Sequence, residues 1–498
     1  MVKEKQPQNS FFDLLWGNLI PKNHELVRIK EKFDFSWIDR ELERYYSASA
    51  VGRPPYPPRT IFLTLFLEIY ANLSDHEVEE QLRYNALYRY FAGLPLEETV
   101  PDYSTLSVFR GRLGEEGFRR LFERFVEELE KAGLISHRLK IVDATHVLAN
   151  ARARSRLGIV RQAQGKLRAA MRRDNREFYE ELLTEEQKRE GSRRMDQEEE
   201  ENPTVLAEEI GRLREMLAKA QGERFSEAVV ELSKGIEELL FLTDRSVGSL
   251  TDVDAAFGYK SKDKPFYGYK VHTVTNESEI VTTVETMPGN VNEGQDLPRL
   301  LAQEEERGLS GDVALADKLY GSGENREEIR KELGMQEVIP AHDVTVQAEA
   351  FQYDPSTQSL RCPEGKTAIG QSPHPEGKLF YFSVRDCGGC PGASGCPSFS
   401  ARDGRARVLM SLDRQLRLES PLSPDLQKAL FRFRTTVERI YGKAKKWHDF
   451  STARYRGRWR MAVHAFLTFF MLNAKKALRI LEGRCPLRPQ KLVSLGYG

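Results

Sequence analysis

Asp143 and Asp317 stand inside short apolar runs that read as β-strands, Leu139–Leu148 and Gly311–Asp317. A carboxylate in such a setting is costly unless it is paired or binds a cation. Acids at adjacent strand ends can share divalent metals, and a third acid is then expected from a packed helix. Glu438 is the candidate. Arg434, Glu438 and Lys445 fall at i, i+4 and i+11, and eleven residues at 100° each come to about three turns plus 20°, so all three share one helix face. Such a face can hold a metal with the Glu and clamp phosphates with the Arg and Lys. Taken alone, the spacing is equally that of a surface Arg–Glu pair with a nearby Lys, worth about a few tenths of a kcal/mol; its combination with two strand-borne aspartates favours chemistry. Asp312 is a rival for the second acid, and Asp317 is preferred because it ends the apolar run. His146 and His272 lie in strands and read as structural hydrogen-bonding groups.

Four of the five cysteines form a second set, Cys362-x24-Cys387-x2-Cys390-x5-Cys396, with Pro and Gly turns beside them. Four thiolates in a small loop-rich module suit tetrahedral zinc, and free thiols in a loop are the alternative. Cys485 stands alone. An odd count of five in 498 residues is no disulfide framework.

The elements that position these residues follow from pattern. Residues 1 to 135 read as helical: Pro57-Pro58 opens a run over Arg59–Ala71, Ser74 and Glu77 form a capping box for a helix through Phe91, and Asp102 caps a long helix through Ala132. The first two resemble a helix-turn-helix, as any two short packed helices do. From 155 to 245 the chain is rich in Glu, Arg, Lys, Leu and Ala at helical spacing, with a break near Asn202-Pro203, and reads as an inserted helical hairpin. Lys260–Val274 and Glu279–Thr286 alternate as a β-hairpin. A helix over Gly294–Glu306, the Asp317 strand, a helix over Glu324–Leu333 and a strand over Gln336–Pro340 follow. Ser423 caps a helix to Lys446, and Arg458–Glu482 is an apolar core helix. The order is that of a mixed α/β domain interrupted by insertions.

Charge is unevenly spread. The 75 basic and 75 acidic residues cancel to a formal net charge of zero, which by itself argues against a nucleic-acid partner. From Phe431 onward, however, 16 Lys and Arg face 3 Asp and Glu; Ala151–Arg173 holds 8 basic residues and no acidic ones; Met171–Leu240 holds 12 basic and 20 acidic. Basic stretches with interleaved aromatics, Lys443–Trp447 and Arg454–Arg460, suit a polyphosphate backbone. No window approaches the ~20 apolar residues of a membrane span, and the charged, amphipathic start has no apolar signal run. The expectation is a cytoplasmic, nucleoid-associated protein.

At these residues the sequence resembles bacterial insertion-sequence transposases of the DDE class, the branch with a Tyr-x2-Arg-x3-Glu-x6-Lys signature. Here it reads Phe431-x2-Arg434-x3-Glu438-x6-Lys445; Phe for Tyr keeps a ring and removes a hydroxyl. Val142–His146 and Ala316–Gly321 are similar to the family's two Asp segments, Asp254–Lys260 and Tyr267–His272 to the hairpin between them, and Gly52–Pro58 and Pro101–Leu106 to its helical N-terminal domain. The resemblance implies an RNase H-like catalytic domain with Asp143, Asp317 and Glu438 holding two Mg²⁺ (or Mn²⁺), and an all-α N-terminal domain. It implies cleavage of terminal inverted repeats and joining of the 3′-OH to target DNA. Phe431, Arg434 and Lys445 would contact DNA, and a homodimer would form on DNA; Tyr320 and Trp447 are candidates to stack bases, with core packing the alternative reading. The implied division is 1–135 for DNA binding and assembly, 136–155 with 246–345 for the first parts of the catalytic core, 156–245 for the charged insertion, 346–412 for the Cys-rich insertion, and 413–498 for the Glu helix and basic tail. A non-catalytic domesticated DNA-binding protein, or an RNase H-like nuclease without strand transfer, are the alternatives.

Overall fold

The computed structural model describes residues 20–46, 55–182, 203–222, 224–242, 247–261, 264–341 and 350–496. Gly52 to Pro54 and the break at Asn202 lie outside them. β1 (Leu139–Leu148) is the spine of a six-stranded mixed sheet. On one side it runs antiparallel to β3 (Lys264–Thr275), which pairs antiparallel with β2 (Ala256–Ser261) along its first half and with β4 (Val281–Pro288) along its second. On the other side β1 runs parallel to β5 (Val313–Leu315), and β5 to β6 (Gln336–Val338). This is the RNase H-like sheet expected. Gly268 of β3 is required where it is, since a Cβ there would meet the Val147 carbonyl oxygen at 2.1 Å.

Both faces of the sheet are covered, and β1 shows it with period 2. Leu139, Ile141 and Val147 join the main core, whereas Val142 joins a second core against α11 (Leu297–Glu306) and α12 (Gly323–Lys331). The main core is shared with the N-terminal helices α1 (Glu25–Lys32), α2 (Trp37–Leu42), α3 (Pro58–Tyr70), α4 (Asp75–Tyr84), α5 (Ala86–Ala92) and α6 (Tyr103–Lys131), and with the long apolar helix α17 (Arg458–Leu481). Phe470 of α17 is the hinge pin of that packing: it stacks on Phe125 of α6 at 4.1 Å and meets Phe62 of α3 edge-on at 4.9 Å. The helical N-terminal region and the sheet therefore share one core. No described helix is long and apolar enough to cross a membrane.

Two expected helices are divided. The capping box at Ser74 forms as expected, but α4 stops at Tyr84, because Asn85 accepts from the Tyr88 N–H and caps α5 afresh. The segment after Ser423 is α15 (Pro424–Phe431), a 3-10 turn Arg432–Arg434, and α16 (Thr435–Trp447). Arg434 is thus the residue before α16, and Glu438 lies in the first turn of that helix.

The charged insertion contains α7 (Arg156–Asp174), α8 (Arg176–Leu182), α9 (Pro203–Ala220) and α10 (Glu227–Glu237) around a small core of its own that includes Leu167, Leu213, Leu217 and Ile236. The expected pair of helices is α7 and α9, and α10 packs as a third. The Cys-rich insertion is a β-lobe of β7 (Gln352–Asp354), β8 (Ser359–Arg361), β9 (Gly370–His374), β10 (Gly377–Tyr381), β11 (Phe399–Ser400) and β12 (Arg405–Ser411), with the short helix α13 (Val384–Gly388). It returns through α14 (Leu412–Leu418), where the buried Arg326 of α12 donates to Asp413 at 2.6 Å and ties the lobe to the sheet domain.

Candidate active site

The parallel pair β1–β5 sets the first two acids. Its last rung is Ile141 opposite Leu315, so Asp143 and Asp317 each lie two residues beyond it. Equal offset on parallel strands puts both side chains on the same face, just past the carboxyl end of β5 and midway along β1. That face is the one α16 covers. Tyr441 of α16 donates to the Asp143 carbonyl at 2.7 Å, and its hydroxyl lies 2.8 Å from that of Thr273 on β3. α16 is therefore pinned to both central strands at the level of Asp143.

The three acids meet at one guanidinium. Arg434 Nη2 is 3.1 Å from Asp143 Oδ2 and 3.6 Å from Asp317 Oδ2, and Arg434 Nη1 is 3.4 Å from Glu438 Oε1. Asp143 is the most enclosed. Burial pushes its carboxyl up to about 6, with Asp317 and Glu293 adding to the rise, against Arg434 and the Ala144 N–H, which favour the charged form. Glu438 is 57% exposed and opens the site to solvent. Asp312 is at the other end of β5, paired with Arg138 at 2.8 Å, and is no part of the site.

Lys445, two turns further along α16, donates to the His146 carbonyl at 2.9 Å. Burial, then the nearby Lys260, lower it to about 8, and burial with Lys445 and Lys260 lowers His146 to about 4. The charges of Lys445 and Lys260 thus oppose one another and both oppose a charge on His146. Lys260 was not singled out in the sequence; it lies on β2, which pairs with β3 on the side away from β1. Phe431 is half-buried against the main core. Trp447 is 64% exposed beside Lys446. Tyr320 is a correction: it is 1% exposed in the core between α11 and α12, where no base can reach its ring. Its apolar bulk won over its proximity in sequence to Asp317.

α16 is held down by a second anchor. Glu279, at positive φ in the β3–β4 turn, accepts from Arg439 at 3.0 Å and Lys443 at 2.7 Å and lies 3.5 Å from Lys476 of α17. Burial alone would raise its carboxyl, but these cations outweigh it and hold it at about 2. A depressed carboxylate contributes stability above its unfolded value of 4.5, lost as pH falls towards 2. E279Q is therefore expected to unfold at lower urea than the wild type at pH 7, with the gap closing between pH 4.5 and 2. Equal gaps at pH 7 and pH 3 would show that the ion cluster is not the anchor.

The acids are a hard all-oxygen set, of the kind that takes Mg²⁺ or Mn²⁺, and their convergence on one guanidinium shows that all three reach a common point. With Arg434 between the acids, no three His, Cys, Asp or Glu side chains among the described residues close into a ready metal group. The same holds for the thiols. Cys362, Cys387 and Cys396 border the core of the β-lobe, and all four are half-buried and free. Sγ of Cys362 and of Cys387 accept backbone N–H groups of Lys366 and Ala406 at 3.3 Å.

Comparison with known families gives two matches in chain order. Residues 15–112 match the family model described as Transposase domain (DUF772), and residues 241–474 match that described as Transposase DDE domain. No solved structure matches the chain. The second match begins beyond β1, so Asp143 lies outside it; the sheet register and the contact with Arg434 are what bring Asp143 to the other two acids.

Proposed function

The chain belongs to the insertion-sequence DDE transposases, and from that premise we propose that it cuts the ends of its element and joins the freed 3′-OH to target DNA. Asp143, Asp317 and Glu438 are the acids that would hold two Mg²⁺ or Mn²⁺. The observation that carries this reading is the convergence of those three side chains on Arg434. Divalent ions, when held there, would lower the pKa of the attacking water or 3′-hydroxyl and stabilise charge on the leaving oxygen. The chain's own residues bind and orient. Tyr441 and Glu279 fix α16, and with it Glu438, against β1. Arg434 neutralises the acids and is placed to turn to a phosphate oxygen when their charge is met otherwise. Lys445 and Lys260 hold the adjoining backbone, and the exposed Trp447 offers a ring to an unpaired base. On the family resemblance alone we also propose a homodimer as the working form on DNA.

The test is a duplex carrying the inverted repeats that flank the coding region, with a second duplex as target. Mg²⁺-dependent nicking at the repeat ends, followed by joined products, is expected. Nicking without joining would favour a nuclease, and specific binding with no cleavage under any divalent ion a domesticated DNA-binding protein.

We also propose a structural Zn²⁺ on Cys362, Cys387, Cys390 and Cys396, supported by the soft ligand set and the N–H···S bonds to two of the sulfurs. About one zinc per chain is expected by elemental analysis of the purified protein, with the β-lobe becoming protease-sensitive on chelation. Far less than stoichiometric zinc, with no effect of chelator, would leave these as free thiols.

A further inference from the structure

A carboxylate that the triad does not use lies beside it. Glu293 sits in a 3-10 turn, Glu293–Gln295, ahead of α11. The neighbouring Gly294 is seated so closely on the Leu319 carbonyl that a Cβ would come within 2.3 Å of its oxygen. Asn325 clamps both turns by donating to the Gly294 carbonyl at 2.5 Å and to that of Tyr320 at 2.9 Å. The Leu319 N–H in turn donates to Asp317 Oδ1 at 2.7 Å. The turn bearing Glu293 is thus docked on the turn that Asp317 caps.

The Glu293 side chain is largely buried, with Oε2 3.6 Å from Lys270 Nζ and 3.7 Å from His272 Nε2. Register places His272 opposite Ala144, one residue from Asp143 and on the face of β1 that looks to α11. Two fully buried polar side chains in this place lack hydrogen-bond partners among the described residues: His272, at both ring nitrogens, and Tyr320, at its hydroxyl. Their rings are 6.3 Å apart. Burial, then Glu293, Asp143, Tyr441 and Asp317, push the Tyr320 hydroxyl well above its ordinary range, so it stays a donor set among the acids. Buried donors without partners are costly and call for water or an ion.

We propose that Glu293 is a fourth acidic residue of the active site, contributing with Asp143 and Asp317 to a hydrated divalent cation whose waters satisfy Tyr320 and His272. Lys270 orients Glu293 from behind. This rests on the reading of Asp143, Asp317 and Glu438 given above.

The test is Mn²⁺ binding to the full chain without DNA, followed by electron paramagnetic resonance of the free ion. E293Q, which keeps shape and removes charge, is expected to raise the dissociation constant about tenfold. E293D, which keeps the charge but withdraws it by one methylene, is expected to fall between E293Q and the wild type. If E293Q and E293D bind Mn²⁺ as the wild type does while D143N loses it, Glu293 is only a partner for Lys270 and His272, and the proposal fails alone. If D143N also binds as the wild type does, the triad reading fails and takes this inference with it.

Discussion

D143N is expected to bind DNA carrying the element ends as the wild type does and to cut it about 10³-fold more slowly or less. Losing charge stabilisation worth about 4 kcal/mol in the transition state is a factor of that order. The side chain has the right place for such a loss. It is the most enclosed of the three acids, it touches Arg434 at 3.1 Å, and it shares its face with Asp317 through the register of β1 and β5. The same surroundings predict that the variant is no less stable. Burial and the neighbouring carboxylates raise the Asp143 carboxyl to about 6. An acid whose folded value is raised contributes stability below its unfolded value of 3.8, lost as pH rises through about 6. The wild type should therefore lose ground to D143N in urea midpoint between pH 3.8 and 6, while only the wild type cuts. An acid kept in an unfavourable setting is what a site held for chemistry looks like. Cleavage by D143N at near wild-type rate would remove Asp143 from the mechanism, and lost activity with a lowered midpoint would mean a folding defect.

The acids were legible because each carries a local signal: an Asp inside an apolar run, or an Arg-x3-Glu-x6-Lys spacing on a helix. What brings them together was not. Asp143 and Asp317 are 174 residues apart, and only the strand register, Ile141 with Leu315, makes their offsets equal. Arg434 reads in sequence as a phosphate clamp, yet in the fold it bridges three carboxylates, because the helix from Ser423 breaks at Arg432–Arg434 and turns it inward. Tyr320 failed for the opposite reason: an aromatic beside a catalytic motif looks functional, and burial between α11 and α12 overrode that. Glu293, Lys270 and Tyr441 left no pattern, since their partners come from other strands and turns. The zero net charge misled until it was divided by segment. The acidic surplus falls within the charged insertion, and the basic residues of α16 remain with the sheet domain.

K140M is the substitution expected to cost most stability. Lys140 lies three residues before Asp143 and points to the opposite face of β1, where its Nζ is 2.7 Å from Glu304 Oε2 on α11; both side chains are fully buried. Thr282 donates to the same carboxylate at 2.8 Å, and Thr283 donates to its other oxygen. Removing the lysine leaves a buried carboxylate with two hydroxyls and no cation, a loss of about 3–5 kcal/mol. The double variant K140M/E304L is expected to lose less than K140M alone, because an apolar pair leaves no uncompensated charge; its remaining cost is the two threonine hydroxyls deprived of their acceptor. Urea unfolding of the three proteins gives the comparison, and a K140M midpoint within error of the wild type would show that the pair is not holding α11 to the sheet. The pair also bears on the chemistry. β1 carries Asp143 on one face and is tied to α11 on the other, and the turn bearing Glu293 precedes α11. Loosening Lys140–Glu304 should therefore slow cleavage even where the protein remains folded, through the position of the acids and not their charge.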